Sequence, residues 1–324
     1  MSGAGPARRA AAIDVGSNTV LLLVAEAQGG RLRALAERAE ITGLGRGVDA
    51  TGRLDPAAIA ATAEVLGRYA AEARALGAER IACVATSAAR DAANGADFFA
   101  AVSAAAGLTP EIISGDEEAR LVWRSAWRDF GGAAGGGLAV LDVGGGSTEL
   151  SFGAGPTPRG RVSLQVGAVR LTERLVRADP VAAETLAALR AAARQALAPA
   201  ALLPGWTDAA WRGGGTPRLV GVAGTVTTLA AVAQALPAYD AERVHGSALT
   251  LAAIDALVER LAALPVAARA ALPGMEPKRA DVIVAGGVVV AEALRLLGFE
   301  ALTVSDRGVR WGLALELLVP PPGR

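Results

Sequence analysis

Residues 11–26, AAIDVGSNTVLLLVAE, and residues 139–153, AVLDVGGGSTELSFG, are two versions of one pattern. Each is a strand-length apolar run, then Asp-Val-Gly, a turn of small residues containing Ser and Thr, and a second apolar run. The glycine-rich break between two short apolar runs predicts a hairpin, with the aspartate at the end of the first strand and the hydroxyls in the turn. Asp14 and Asp142 lie 128 positions apart, about one domain's worth of chain. The economical expectation is two related domains, 1–130 and 131–305. GGAAGGG at 131–137 would be the flexible joint, and a final helix near 306–319 would pack back on the first domain.

The intervening sequence alternates strand and helix signals. Asp55 and Pro56 read as N-cap and first residue of a helix reaching Leu76. Glu79–Ala85 reads as a buried strand, Asp91–Ala106 as one helix, and Glu111–Ile113 as a strand that runs through Ser114-Gly115 into a helix over 116–130. In the second half, strands are predicted over Arg161–Gln165, Leu219–Val222 and Ala301–Val304. Helices are predicted within 169–198, after Gly224-Thr225, and over 251–264, 279–297 and 307–318. PPPGR reads as a frayed tail. Such alternation implies an α/β protein with mixed sheets rather than a barrel.

Composition narrows the chemistry. The chain of 324 residues carries 32 Lys+Arg and 32 Asp+Glu, so it lacks the basic excess of a general nucleic-acid binder. Cys83 and His245 are the sole cysteine and histidine, which excludes an internal disulfide and any site built on paired His or Cys ligands. A metal site would then use carboxylates, hydroxyls, carbonyls and water, a donor set suited to magnesium rather than zinc. Lys278 is the sole lysine, so the phosphate loop that requires one is absent. MSGAGPARRAAAID has no apolar run to serve as a signal peptide, and no stretch is long enough to span a bilayer. A soluble, cytoplasmic protein is expected.

The two turns have a chemical reading. Glycines leave backbone N–H groups unshielded, and successive N–H groups form a nest for anions such as phosphate. The adjacent aspartate would repel phosphate unless a cation bridges them, which implies magnesium. The alternative is a pair of ordinary tight hairpins with aspartates capping the turns. Repetition of the same Asp-Gly-hydroxyl order favours phosphate.

On these residues the chain resembles the superfamily of acetate kinase, sugar kinases, Hsp70 and actin. More narrowly it resembles the exopolyphosphatase / guanosine pentaphosphate phosphohydrolase family, in its short two-domain form. That resemblance rests on DVGSNT, LDVGGGSTEL, ATSAARDAANGADF (85–98), IISGDEEARL (112–121), SLQVGAVRLTE (163–173), GVAGTVTTLA (221–230), RVHGS (243–247) and TVSDRGVRWGL (303–313). It implies two duplicated actin-like, ribonuclease H-like α/β domains with a cleft between them. It also implies that Glu118, or the adjacent Glu117, is the general base, and that Arg90 contacts the reacting phosphate. Asp142, Glu149 and Asp14 would be the magnesium candidates. Ser17, Asn18, Gly144, Gly145, Gly146, Ser147 and Thr148 would bind phosphate, together with Gly224 and Thr225 at a third turn.

Each residue also has a plainer reading. Asp116, Glu117 and Glu118 suit a helix N-terminus through the dipole. Because successive helical residues project about 100° apart, only one of the three is expected to face inward. Arg90 could pair with Asp91 or Asp97, and Gly224-Thr225 could simply cap a helix. His245 reads as a structural residue and Cys83 as inert core. Trp123, Trp127 and Trp311 read as packing, and Arg170, Arg174, Arg307 and Arg310 as salt-bridged faces or a polyanion path. Leu21 stands where many relatives carry a polar or aromatic residue.

The activity implied by the resemblance is magnesium-dependent removal of the terminal phosphate of inorganic polyphosphate by in-line attack of water. The alternative is conversion of guanosine pentaphosphate to the tetraphosphate by the same chemistry. A non-catalytic sensor of polyphosphate or guanosine polyphosphate, and a kinase of the superfamily, are the remaining readings. The resemblance implies a homodimer, with no nucleic-acid or membrane partner.

Overall fold

The computed structural model describes residues 8–29, 31–131, 136–212 and 215–319. Residues 132–135 of the expected glycine joint and the PPPGR tail lie outside them. In chain order the elements are β1 (Arg8–Val15), β2 (Thr19–Gln28), β3 (Arg31–Ile41), α1 (Val48–Thr51), α2 (Pro56–Ala75), β4 (Arg80–Ala85), α3 (Ser87–Asp91), α4 (Gly95–Ala106), β5 (Glu111–Ile112) and α5 (Gly115–Phe130). There follow β6 (Leu138–Val143), β7 (Thr148–Gly153), β8 (Gly160–Leu164), α6 (Ala168–Leu175), α7 (Ala183–Ala201), α8 (Ala209–Arg212), β9 (Arg218–Val222), α9 (Ala223–Ala233) and α10 (Ala241–Val244). The last are β10 (Ala248–Thr250), α11 (Leu251–Ala262), α12 (Val266–Ala270), α13 (Ile283–Leu297), β11 (Ala301–Val304) and α14 (Val309–Leu318). Two compact units result: Met1–Leu121 with Val309–Arg324, and Val122–Gly308.

In the first unit the strand order is β3-β2-β1-β4-β5. β1 runs antiparallel to β2 and parallel to β4. Ile13, Val15, Leu22 and Val24 join Leu66 of α2 and Phe98 of α4 in one core. Ala12 and Leu23, on the alternate face, are equally buried, as a strand covered on both sides requires. α14 packs along β1 and β2, where its Arg310 and Trp311 both donate to Glu37 of β3. α2 starts as expected, Asp55 accepting from the amides of Ala57 and Ala58.

The second unit repeats this plan with the order β10-β11-β9-β6-β7-β8. β6 runs antiparallel to β7 and parallel to β9, as β1 does to β2 and β4. The hairpin turns match in detail. The Gly16 amide donates to the Thr19 carbonyl at 3.0 Å, and the Gly144 amide to the Ser147 carbonyl at 3.0 Å. The core is continuous from Leu141, Leu150 and Phe152 through Leu189 to Val226 and Val289.

Several elements depart from expectation. The helix expected over 91–106 begins at Gly95; Asp91 instead ends the preceding helix α3, and residues 92–94 separate the two. There Asn94 closes a pair of hydrogen bonds on the Leu54 backbone, accepting from its N–H at 2.8 Å and donating to its carbonyl at 3.1 Å. β4 is buried only over its last three residues. The helix expected from Arg279 begins at Ile283, after a single 3-10 turn over Pro277–Arg279. β3 and β10 have no counterpart among the expected strands.

Candidate active site

The first unit gathers Asp14, Ser17, Asn18, Arg90 and Glu118 in or beside its sheet. β1 ends one residue after Asp14, so Asp14, Ser17 and Asn18 sit at the hairpin turn, each less than 9% exposed. The carbonyls of the turn are occupied: Ser17 accepts from the Gly45 amide at 2.6 Å, and Asn18 from the amides of Thr42 and Gly43. Both polar atoms of the Asn18 side chain are buried and meet no hydrogen-bond partner among the described residues. Leaving such groups unmet costs about 1–3 kcal/mol, a cost that a ligand would remove.

Arg90 lies in α3, which follows directly on β4. Its Nη1 donates to the Ile113 carbonyl at 2.9 Å and reaches Oε2 of Glu118 at 3.5 Å. Its Nη2 is buried without a partner among the described residues. Asp97, one of the two surface partners weighed for Arg90, lies 3.9 Å from Arg53 instead. The acidic start of α5 divides as helical geometry requires: Asp116 is exposed, Glu117 intermediate and Glu118 buried. Glu117 is engaged by Arg120 at 2.6 Å, and Arg120 also meets Glu316 at 2.5 Å. Of the two adjacent glutamates, Glu118 is the one that meets Arg90.

The second unit gathers Asp142, Gly144, Gly145, Gly146, Ser147, Thr148 and Glu149. The carbonyls of Gly144 and Gly145 accept from the amides of Ala168, Val169 and Arg170 at the start of α6, and the Gly146 carbonyl accepts from the Arg170 guanidinium at 2.8 Å. Among the described residues the amides of Gly145 and Gly146 donate to no backbone acceptor. A turn with its carbonyls tied back and its N–H groups unspent is suited to an anion. Thr148 does not offer its hydroxyl to the turn; it donates to the Val166 carbonyl at 2.6 Å. Asp142 and Glu149 are partners across the β6–β7 ladder, and both are buried. Burial pushes the Asp142 carboxyl up to about 7. The same rung of the first hairpin pairs Asp14 with Leu21, so Leu21 occupies the place of Glu149 and only the second hairpin has acids facing each other on this rung. Among the described residues no cluster of three His, Cys, Asp or Glu side chains is spaced to enclose a metal.

Gly224 and Thr225 open α9. The preceding residue, Ala223, holds φ at 73°, a left-handed conformation that costs a residue with a Cβ of order 1 kcal/mol or more and often marks a functional turn. The guanidinium of Arg279 fills the space a Cβ on Gly224 would need. Sequence reasoning overlooked Arg279, because nothing local distinguishes it in an arginine-rich chain.

It also assigned no role to Gly167, quoted only within SLQVGAVRLTE. A Cβ there would stand 2.5 Å from the Gly145 carbonyl oxygen and 2.8 Å from the Gly146 nitrogen. Those are backbone atoms of the turn itself and cannot swing aside. Gly167→Ala is expected to shift the turn by several tenths of an ångström and lower kcat/KM about 10–100-fold, at a stability cost of about 1–3 kcal/mol. Steady-state kinetics beside thermal unfolding check this.

Other singled-out residues make contacts within the second unit or the β4 core. His245 accepts from the Asp306 amide on Nδ1 at 3.3 Å, and its Nε2 lies 3.8 Å from Asp129. Arg307 pairs with the same Asp129 at 2.9 Å. Trp123 is fully buried and stacks on Trp127. Cys83 is buried in β4, where burial and the Asp14 carboxylate push its thiol up to about 12. No helix among the described residues is long and apolar enough to cross a membrane.

Comparison with known proteins agrees with this arrangement. Residues 23–319 match the model of the Ppx/GppA phosphatase family. Exopolyphosphatase 2 of Mycobacterium tuberculosis is 41% identical over 323 residues, covering 95% of this chain and 98% of the relative. The solved structure of the Aquifex aeolicus Ppx/GppA family member is 33% identical, covers 98% of this chain and 100% of that one, and superposes with a TM-score of 0.79. An exopolyphosphatase-like protein at 26% identity superposes with a TM-score of 0.89, over 97% of this chain and 98% of its own. The fold is therefore the duplicated, actin-like α/β arrangement of these structures. From its repeated sheet plan and turns, and from matches over nearly its whole length, the chain belongs to the Ppx/GppA phosphatase family.

Proposed function

We propose that this protein is an exopolyphosphatase, hydrolysing the terminal phosphoanhydride of inorganic polyphosphate by direct attack of water. The observation that carries the reading is the pairing of buried Glu118 with half-buried Arg90, a carboxylate base beside a guanidinium with one nitrogen unspent. Glu118 takes the proton from the attacking water. Arg90, anchored through Nη1 on the Ile113 carbonyl, offers Nη2 to an equatorial phosphoryl oxygen, where charge is spread in the transition state. The unspent amides of Gly145 and Gly146 serve as preorganised donors to phosphate oxygens. Ser17 and Asn18 do the same in the first unit, and Gly224 and Thr225 offer a helix N-terminus for a further phosphate.

Asp142 and Glu149 fit a divalent cation. Asp142 is a buried carboxylate that burial alone renders hard to ionise, and magnesium characteristically takes one or two carboxylates, completing its shell with phosphate oxygens and water. Bound there, magnesium would neutralise charge on the phosphate chain. Asp14 is the corresponding acid of the first hairpin.

The test is phosphate release by the purified protein with magnesium, from short polyphosphate, long polyphosphate and guanosine pentaphosphate. Release from polyphosphate is expected. Release from guanosine pentaphosphate alone would move the assignment to that substrate, and binding without release from any of the three would overturn hydrolysis.

A further inference from the structure

Three adjacent strands place Asp142, Glu149 and Ser163 on one rung: Asp142 faces Glu149 across β6 and β7, and Glu149 faces Ser163 across β7 and β8. The Ser163 hydroxyl donates to Oε1 of Glu149 at 2.6 Å. Glutamate has three side-chain torsions, so a carboxylate at its end has no fixed plane unless something holds it. Here the acid is 2% exposed, and the hydroxyl that holds it stands on a paired strand.

The first unit supplies an internal control. Its equivalent rung runs Asp14, Leu21, Ala39. Where the acid is replaced by leucine, the hydroxyl is replaced by alanine as well. The sheet plan alone therefore needs neither polar group, and the two occur together only in the unit with paired acids.

We infer that Ser163 is a positioning residue, orienting Glu149 so that it and Asp142 can hold one divalent cation together. The inference rests on the reading of those two acids as cation-holding residues. Hydroxyl or carbonyl partners that orient a metal-binding side chain are typically worth 10–100-fold in metal affinity.

Manganese binding to the full chain without substrate, followed by titration calorimetry and by the spin resonance of free manganese, tests this. Ser163→Val keeps the shape of threonine without its hydroxyl and is expected to weaken binding about 10–100-fold. Ser163→Thr is expected to stay within about threefold of the parent, since the donor is retained. Both variants should unfold within a few degrees of the parent in the presence of chelator, which separates orientation from a loss of fold. Parent-like affinity in Ser163→Val, with binding lost in Asp142→Asn, would overturn the role of Ser163 and leave the acids in place. No manganese binding by the parent would overturn the cation reading itself and the inference with it.

Discussion

Glu118→Gln is expected to lower kcat on polyphosphate by about 10²–10⁴-fold, the range over which a positioned base accelerates proton transfer. The amide keeps the shape of the side chain, and its oxygen still accepts from Nη1 of Arg90, which lies 3.5 Å from the carboxylate. KM should change little and the unfolding temperature by no more than a few degrees. Glu117→Gln is the matched control. It removes one half-exposed ion pair with Arg120, and Arg120 retains Glu316. Pairs at the surface contribute about 0–1 kcal/mol, and this one does not touch Arg90, so activity should stay within about twofold. Full activity in Glu118→Gln, or the large loss falling on Glu117→Gln, would exchange the two roles.

The split between these neighbours shows where the sequence was legible. Their spacing already required one acid of the three to point inward, but helical phase alone cannot say which. The choice is made by Arg90, 28 residues earlier. The hairpins were readable because Asp-Val-Gly punctuates two apolar runs twice, whereas the parallel pairing of β4 and β9 beside them came from the structure. β3 was not, since RLRALAERAEI has the residues of a helix and becomes a strand through its long ladder with β2. The break at residues 92–94 was equally hidden, because Asn94 answers to the Leu54 backbone, 40 residues away. The meaning of Leu21 emerged only from strand register, which sets it level with Glu149 in the duplicate.

Asp142→Asn should separate activity from stability. Burial raises the Asp142 carboxyl from 3.8 to about 7. Below about pH 4 the group is protonated whether the chain is folded or not, and contributes no pH dependence. Between about pH 4 and 7 the folded chain keeps a proton that the unfolded chain has released, so stability falls as pH rises. Above pH 7 the accumulated loss is on the order of 4 kcal/mol. Asparagine carries no charge to desolvate, although its amide N–H groups are buried in turn. The variant is therefore expected to be about 1–3 kcal/mol more stable than the parent at pH 8 in chelator, and nearly equal to it at pH 4, by urea unfolding. Its phosphate release should fall at least about 100-fold. A variant less stable than the parent at pH 8 would mean that Asp142 contributes to the fold as an anion.

The return of α14 to β1 and β2 bears on how the chain is made. The Val122–Gly308 unit is contiguous, so it can close as soon as its own residues have left the ribosome. The earlier-synthesised sheet must wait, because the helix that roofs β1 and β2 and presents Arg310 and Trp311 to Glu37 is translated only after the whole of that unit. A nascent chain stalled before residue 309 is therefore expected to expose the apolar back of its first hairpin to chaperones and proteases.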